Sequence, residues 1–262
     1  MSPQAVRVPA SIANLGTGFD VLAMAVELWL EASGEPHPTP EWSFDGAQPP
    51  AANPFAAVSL RGRVSSAIPL GVGLGSSAAA RVAALRLAGL AEPVVLQRAV
   101  AEEGHPDNVA AAVYGGVVAW VGGRVHRLPV PDLEVALFVA AQPSSTESAR
   151  ALLPAMVSRA DAVHNAGRLA LLVHALHIAD WSLLDDAMED RLHQPARTSI
   201  YPWLPDAIAA GRAAGAWGAA LSGAGPSVFA LCPRGAAGRV AEAMTRAAGV
   251  PGRPLATTIA ML

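Results

Sequence analysis

The run Gly71-Val72-Gly73-Leu74-Gly75-Ser76-Ser77, followed at once by Ala78 and Ala79, is the segment of this chain best suited to hold an anion. Glycines let a backbone approach a ligand closely. A helix starting after them offers unpaired N–H groups and the positive end of its dipole. Ser76 and Ser77 can cap that helix, bond phosphate oxygens or give a hydroxyl to Mg2+. The run is not a P-loop, because all 18 basic residues of the chain are arginine and no lysine occurs. It is not a dinucleotide fingerprint either, since Ser76 stands where the third glycine is required. The missing lysine also excludes Schiff-base chemistry. Phosphate chemistry must then draw on backbone N–H groups, arginine or metal.

Three other clusters could carry chemistry. In Glu103-Gly104-His105-Pro106-Asp107-Asn108, polar groups crowd a tight turn between apolar segments. A carboxylate there could complete an Mg2+ shell with a serine, or Asp107 or Asn108 could simply cap the next helix. Leu221-Ser222-Gly223-Ala224-Gly225-Pro226-Ser227 holds more glycine, proline and serine than a hairpin turn needs, which points to close approach to a ligand or to the first glycine loop. Arg150 and Arg197 sit in polar contexts and count for little alone. The remaining histidines, His37, His126, His164, His174, His177 and His193, read as surface or helix residues. No Ser-His-Asp order and no HExxH motif is present.

Around these clusters the periodicity predicts the elements that must position them. Alternation in Ala5–Val8 and in 21–32 predicts two strands, joined by a loop over Pro9–Asp20. Six prolines between 36 and 54 (Pro36, Pro38, Pro40, Pro49, Pro50, Pro54) predict a surface loop over 33–56 with no helix. Helices are expected over Ala78–Leu90 and from Pro93 to Glu103, then a strand at Val117–Val121. Further on, the pattern gives a strand at 133–141, a helix over 158–179 with Ser158 and Asp161 as a capping pair, and shorter helices at 182–193 and 205–214. Strands at 217–221 and 227–231, a helix at 237–248 and a strand at 255–261 complete a split ferredoxin-like order.

A chain of 262 residues can hold one large domain or two modest ones. With 52% apolar and 15% charged residues it is globular rather than disordered. A net charge of -3 gives no electrostatic argument for nucleic acid or an anionic membrane. The single cysteine, Cys232, excludes a disulfide framework and a thiolate zinc site and fits a reducing compartment. The apolar stretch 109–123 is shorter than the ~18–20 residues of a membrane span. The start Met1-Ser2-Pro3-Gln4-Ala5-Val6-Arg7 is not expected to act as an export signal, so a cytoplasmic location is expected.

In this order, these segments resemble the GHMP kinase superfamily and, within it, the homoserine kinases. Superfamily features are Ala13-Asn14-Leu15-Gly16-Thr17-Gly18-Phe19-Asp20, the loop Pro69–Ala79, and Leu221–Ser227. The narrower resemblance rests on Glu103–Val109, on Ser144-Ser145-Thr146 through Arg150 to Leu152-Leu153-Pro154, and on Asp190–Arg197 (DRLHQPAR). The resemblance implies an α+β, two-domain GHMP kinase fold: an N-terminal ribosomal-protein-S5-domain-2-like domain over 1–132 and a C-terminal ferredoxin-like domain over 133–262. It implies ATP and Mg2+ as cofactors, with Pro69, Gly71, Gly73, Leu74, Gly75, Ser76, Ser77, Ala78 and Gly223 binding ATP and Ser77 with Glu103 holding the metal. Asn14, Asp20, His105, Asn108, Arg150 and Arg197 would surround L-homoserine, with the arginines on its carboxylate. Asp20, Asn108 and Thr146 would be catalytic, Asp20 orienting the acceptor hydroxyl more than deprotonating it.

The implied reaction phosphorylates the side-chain hydroxyl of homoserine on the way to threonine. The partners implied are these two small molecules, with no nucleic acid and no membrane, and a homodimer is admitted. Two alternatives are another GHMP small-molecule kinase, for an isoprenoid precursor, sugar or amino alcohol, and a non-catalytic nucleotide- or metabolite-binding protein on the same fold. The chain departs from the family pattern where Asn53–Leu60 leaves little room for a helix usually found before the glycine loop. Ala196 stands where tyrosine is common, and Ile12 where serine is common.

Overall fold

The computed structural model describes residues 4–45, 53–130 and 132–262. Strands β1 (Gln4–Ala13), β2 (Leu22–Pro36), β3 (Glu41–Asp45), β4 (Leu60–Ser66), β5 (Val117–Val121) and β6 (Arg124–Leu128) form one six-stranded sheet. β2 is its axis. β1 runs antiparallel along one edge of β2, while β4 and β5 share the other edge. Helices α1 (Ser76–Leu87), α2 (Glu92–Glu103) and α3 (Pro106–Tyr114) belong to the same half. Alanines fill the buried side of α1, so a strong helix former also allows a close approach to β1.

The second sheet contains β7 (Glu134–Ala140), β8 (Gly218–Leu221), β9 (Val228–Cys232) and β10 (Gly252–Thr258), antiparallel in the order β10-β7-β9-β8. Between β7 and β8 lie α4 (Thr146–Ala151), α5 (Arg159–Ile178), α6 (Leu184–Ala187), α7 (Gln194–Arg197) and α8 (Leu204–Ala213), and α9 (Ala237–Ala248) joins β9 to β10. The expected ferredoxin-like order is therefore present. Strand alternation gives this sheet two apolar faces. Val135, Leu137, Phe229 and Leu231 join the core shared with the first sheet. Ala136, Phe138, Val228 and Ala230 face a second core with Leu204, Val240 and Met244 from α8 and α9.

Several expectations are corrected. Pro9–Ala13 is strand rather than loop: β1 continues through a register shift at Pro9/Ala10, where the ladder tolerates a residue with no N–H. The turn begins at Asn14, with Asn14, Leu15 and Asp20 all at positive φ. The region 33–56 is not simply loop. β2 runs to Pro36, β3 pairs in parallel with β4, and a 3-10 turn occupies Pro54–Ala57 with Pro54 at its start. Pro49 and Pro50 lie outside the described residues.

β4, β6 and α4 have no counterpart among the expected elements, being short or strongly charged. The helix expected over 182–193 stops at Ala187, after a 3-10 turn at Trp181–Leu183. Beyond it the Asp190 carboxylate accepts the backbone N–H groups of Leu192, His193 and Gln194, which diverts them from a helical ladder. The helix over Arg159–Ile178 opens as expected, with Ser158 Oγ accepting from the N–H of Asp161.

Candidate active site

The glycine loop is held by its carbonyls. Those of Gly71, Val72, Gly73 and Leu74 accept, in turn, the N–H of Ser144 at 2.8 Å, the N–H of Ser227 at 3.2 Å, Oγ of Ser222 at 2.6 Å and the N–H of Ser11 at 3.1 Å. Four serines from three segments thus fix four consecutive carbonyls. Among the described residues, no acceptor engages the N–H groups of Gly73 to Ser77, so these are the groups left for an anion. Gly73 lies at φ +81°, and a Cβ there would strike the carbonyls of Ser222 and Gly225. The expected close approach of the 221–227 turn to the first glycine loop is this contact. Neither Ser76 nor Ser77 caps α1. The cap position is Gly75 in the left-handed region, with no side-chain bond.

The loop opens onto a cleft of about 330 Å³. Its lining includes every proposed acceptor residue: Asn14, Asp20, His105, Asn108, Arg150 and Arg197. Thr146, Glu103, Gly223 and the glycine-loop residues Gly71, Gly73, Gly75, Ser76 and Ser77 also line it. Pro69, Leu74 and Ala78 do not; Leu74 and Ala78 are buried in the core behind the loop.

At the charged end, Arg150 on α4 grips Asp20 with both terminal nitrogens, at 2.9 and 2.7 Å. Its hydrogen bond to Asp20 raises the pKa of the guanidinium further. Asn14 is fixed on both sides, its Nδ2 donating to the Gly223 carbonyl at 3.0 Å and its Oδ1 accepting from the Asp20 N–H at 3.1 Å. Asn108 Oδ1 accepts from Ser11 Oγ at 2.8 Å, which leaves its NH2 for the cleft. Burial and then the nearby Arg150 lower the His105 pKa, so the ring is neutral at pH 7. Asp107 caps nothing across the turn, contrary to one reading of the sequence. It is buried, its carboxylate accepts the N–H of Asn108 at 2.8 Å, and its pKa is raised to about 6 by burial.

Ser77 Oγ donates to Glu103 Oε2 at 2.9 Å, across the start of α1 and the end of α2. A hydroxyl beside a carboxylate is an oxygen-only donor pair, the chemistry a hard divalent cation takes. Among the described residues no group of three or more His, Cys, Asp or Glu side chains gathers as a metal cage. The two oxygens would therefore be completed by phosphate and water. Arg81, one turn after Ser77, bonds both Ser77 and Glu103.

Sequence reasoning missed two parts of the site. His193 is not a surface residue; it is fully buried, stacks on Phe19 at 5.2 Å and bonds Arg197 Nη1 at 2.8 Å. Its place in the DRLHQPAR motif was the available signal. The cleft also has an apolar end, with Leu30, Phe44, Phe55, Val64 and Ile68 beside the glycine loop. Phe44 and Phe55 meet edge to face at 6.1 Å, and both come from the region expected to be loop.

Sequence and fold now point to one family. The GHMP kinases N terminal domain matches residues 49–116, and the GHMP kinases C terminal domain matches residues 172–250. The fold is the GHMP kinase fold: mevalonate kinase of Methanococcus jannaschii superposes with a TM-score of 0.74 at 14% identity, covering 99% of each chain. Homoserine kinase of Cytophaga hutchinsonii superposes with a TM-score of 0.87 at 29% identity, over 99% of this chain and 95% of that one. In sequence, a homoserine kinase of Thermus thermophilus is 39% identical over 95% of this chain and 93% of its own length. That of Moorella thermoacetica is 40% identical over 92% and 91%. The chain belongs to the homoserine kinase family. Among the described residues no helix is long and apolar enough to cross a membrane.

Proposed function

We propose that the protein transfers the γ-phosphoryl group of ATP to the side-chain hydroxyl of L-homoserine, giving O-phospho-L-homoserine for threonine biosynthesis in the cytoplasm. The observation that carries this reading is the Asp20–Arg150 pair, with Arg197 beside it, in the same cleft as the glycine loop. A zwitterionic amino acid is the electrostatic complement of a carboxylate–guanidinium pair. Its carboxylate takes Arg150 and Arg197, whose planar forks suit a carboxylate, while Asp20 orients the acceptor hydroxyl. An alcohol without a carboxylate would bring no anion to the remaining donors of the two guanidinium groups.

The phosphates lie on the N–H groups of Gly73 to Ser77 at the start of α1, and the adenine lies at the Phe44–Phe55 end of the cleft. Ser77 and Glu103 would hold Mg2+, which would supply charge neutralisation for the phosphoryl groups. Phosphoryl transfer through a loose transition state asks for alignment and charge neutralisation more than for a strong base. Both oxygens of Asp20 are engaged by Arg150, which supports the orienting role. Asn108 and Thr146 are the neutral groups we assign to the acceptor hydroxyl and the transferring phosphoryl. We place the domain division at 132/133, between the end of β6 and the start of β7.

ADP release measured with Mg2+, ATP and a panel of hydroxyl acceptors tests this reading. Homoserine-dependent release is expected; equal turnover across the panel, or none from folded protein, would overturn it.

A further inference from the structure

A closed circuit of hydrogen bonds surrounds Arg197. Its Nη1 donates to the Gly223 carbonyl at 3.0 Å and to Nδ1 of His193 at 2.8 Å. The same Gly223 carbonyl accepts from Asn14 Nδ2. Nε2 of His193 lies 2.8 Å from the carbonyl of Gly16, on the loop that carries Asn14 and Asp20. Thr17 of that loop donates to the Ala187 carbonyl at 2.9 Å, so the loop is tied to the 187–197 segment twice.

The chemistry of the partners fixes the state of the ring. A guanidinium has no acceptor, so Nδ1 must accept; a carbonyl has no donor, so Nε2 must donate. Only the neutral Nε2–H tautomer does both, since the imidazolium would present two donors and a second cation to Arg197. Asp190 does not compete as a counter-ion. Its oxygens take three backbone N–H groups and Asn165 Nδ2, and it stands 3.6 Å from Nε2. Burial lowers the His193 pKa well below its ordinary value against the upward pull of Asp190. Among the described residues no hydrogen bond engages Arg197 Nη2, while Arg197 lines the cleft. The circuit takes Nη1 and the Ala149 carbonyl takes Nε, which leaves Nη2 for the cleft.

We infer that His193 is a positioning residue for the acceptor amino acid: as a neutral Nε2–H imidazole it aims Arg197 and ties it to the Asn14–Asp20 loop. The groups proposed for the two ends of the amino acid then move as one unit. This rests on the reading of Arg197 as a carboxylate ligand.

The test compares His193→Leu, which removes both bonds, with His193→Gln, which keeps one donor and one acceptor. In His193→Leu the KM for homoserine should rise about 10- to 100-fold, the loss expected for a mis-set charge-assisted hydrogen bond, with the KM for ATP within about 2-fold. His193→Gln should recover most of that loss. An unchanged homoserine KM in folded His193→Leu, or equal rises in both KM values, would overturn the inference. Should His193→Leu not fold, 15N NMR of histidine-labelled wild-type protein decides. A neutral Nε2–H ring at pH 7.5 is expected, and an Nδ1–H tautomer or an imidazolium would overturn the assignment. Wild-type protein that releases no ADP with homoserine would instead sink the functional reading, and the tautomer would still report on the circuit.

Discussion

The two ends of the cleft are built in different ways. The end we propose for the phosphates is one contiguous run of glycine and serine, with small side chains and backbone N–H groups that no acceptor among the described residues engages. The acceptor end takes charged and polar side chains from residues 14–20, 105–108, 146–150 and 193–197, brought together by both sheets. A site made of backbone fails when any Cβ intrudes. A site made of side chains fails in graded steps, one charge at a time.

The largest effect should come from the backbone end. Gly73→Ala places a methyl against the carbonyls of Ser222 and Gly225 at a positive φ. It should cost at least ~2 kcal/mol of stability, read by denaturant unfolding, and abolish ADP release. A stable and active Gly73→Ala protein would break the comparison.

Next is Arg197→Ala at the acceptor end. It should lower kcat/KM for homoserine by about 100- to 1000-fold while leaving the KM for ATP nearly unchanged, because a buried guanidinium and its carboxylate bond are lost. Asp20→Asn keeps the shape and loses the charge. Turnover should fall about 10-fold, the scale of an orienting group rather than of an obligatory base. Complete loss with intact binding and fold would show that Asp20 does more than orient.

The smallest effect is on stability. Burial raises the Asp107 pKa to about 6, so the folded protein holds this proton more tightly than the unfolded chain does. The stability tied to that proton is present at low pH and is lost as pH rises from about 4 to about 6. At pH 7.5 Asp107→Asn should therefore be more stable than wild type by about 1–3 kcal/mol, and near pH 4 the two should unfold alike. A variant no more stable at pH 7.5 would show that a partner in the cleft already compensates the charge.

Legibility followed the same division. The helix over Ala237–Ala248 and the strand over Val117–Val121 fall where periodicity placed them, since each is a regular apolar pattern closed by glycine. The glycine loop was readable as a candidate anion site because it is one contiguous segment. Phe44 and Phe55 were not, because six prolines hid a short edge strand, whose register comes from β4, and the 3-10 turn Pro54–Ala57 that carries Phe55. His193 was misplaced for a related reason. A histidine is ambiguous until its neighbours are known, and those neighbours, Gly16 and Arg197, lie 177 and 4 residues away.

By itself, the amino-acid sequence determined what kind of phosphate chemistry this protein can do. A lysine-free chain with three spaced glycines ahead of an alanine-rich helix leaves backbone N–H groups, arginine or metal to meet an anion. Only the tertiary structure decided how the substrate end is assembled. It brought Arg150 onto Asp20 across 130 residues and set His193, beside the buried Arg197, against the Gly16 carbonyl 177 residues away. The reason is physical: a helix N-terminus is made by consecutive residues, whereas a charge network in a cleft exists only once burial has brought its members together and excluded the water that would separate them.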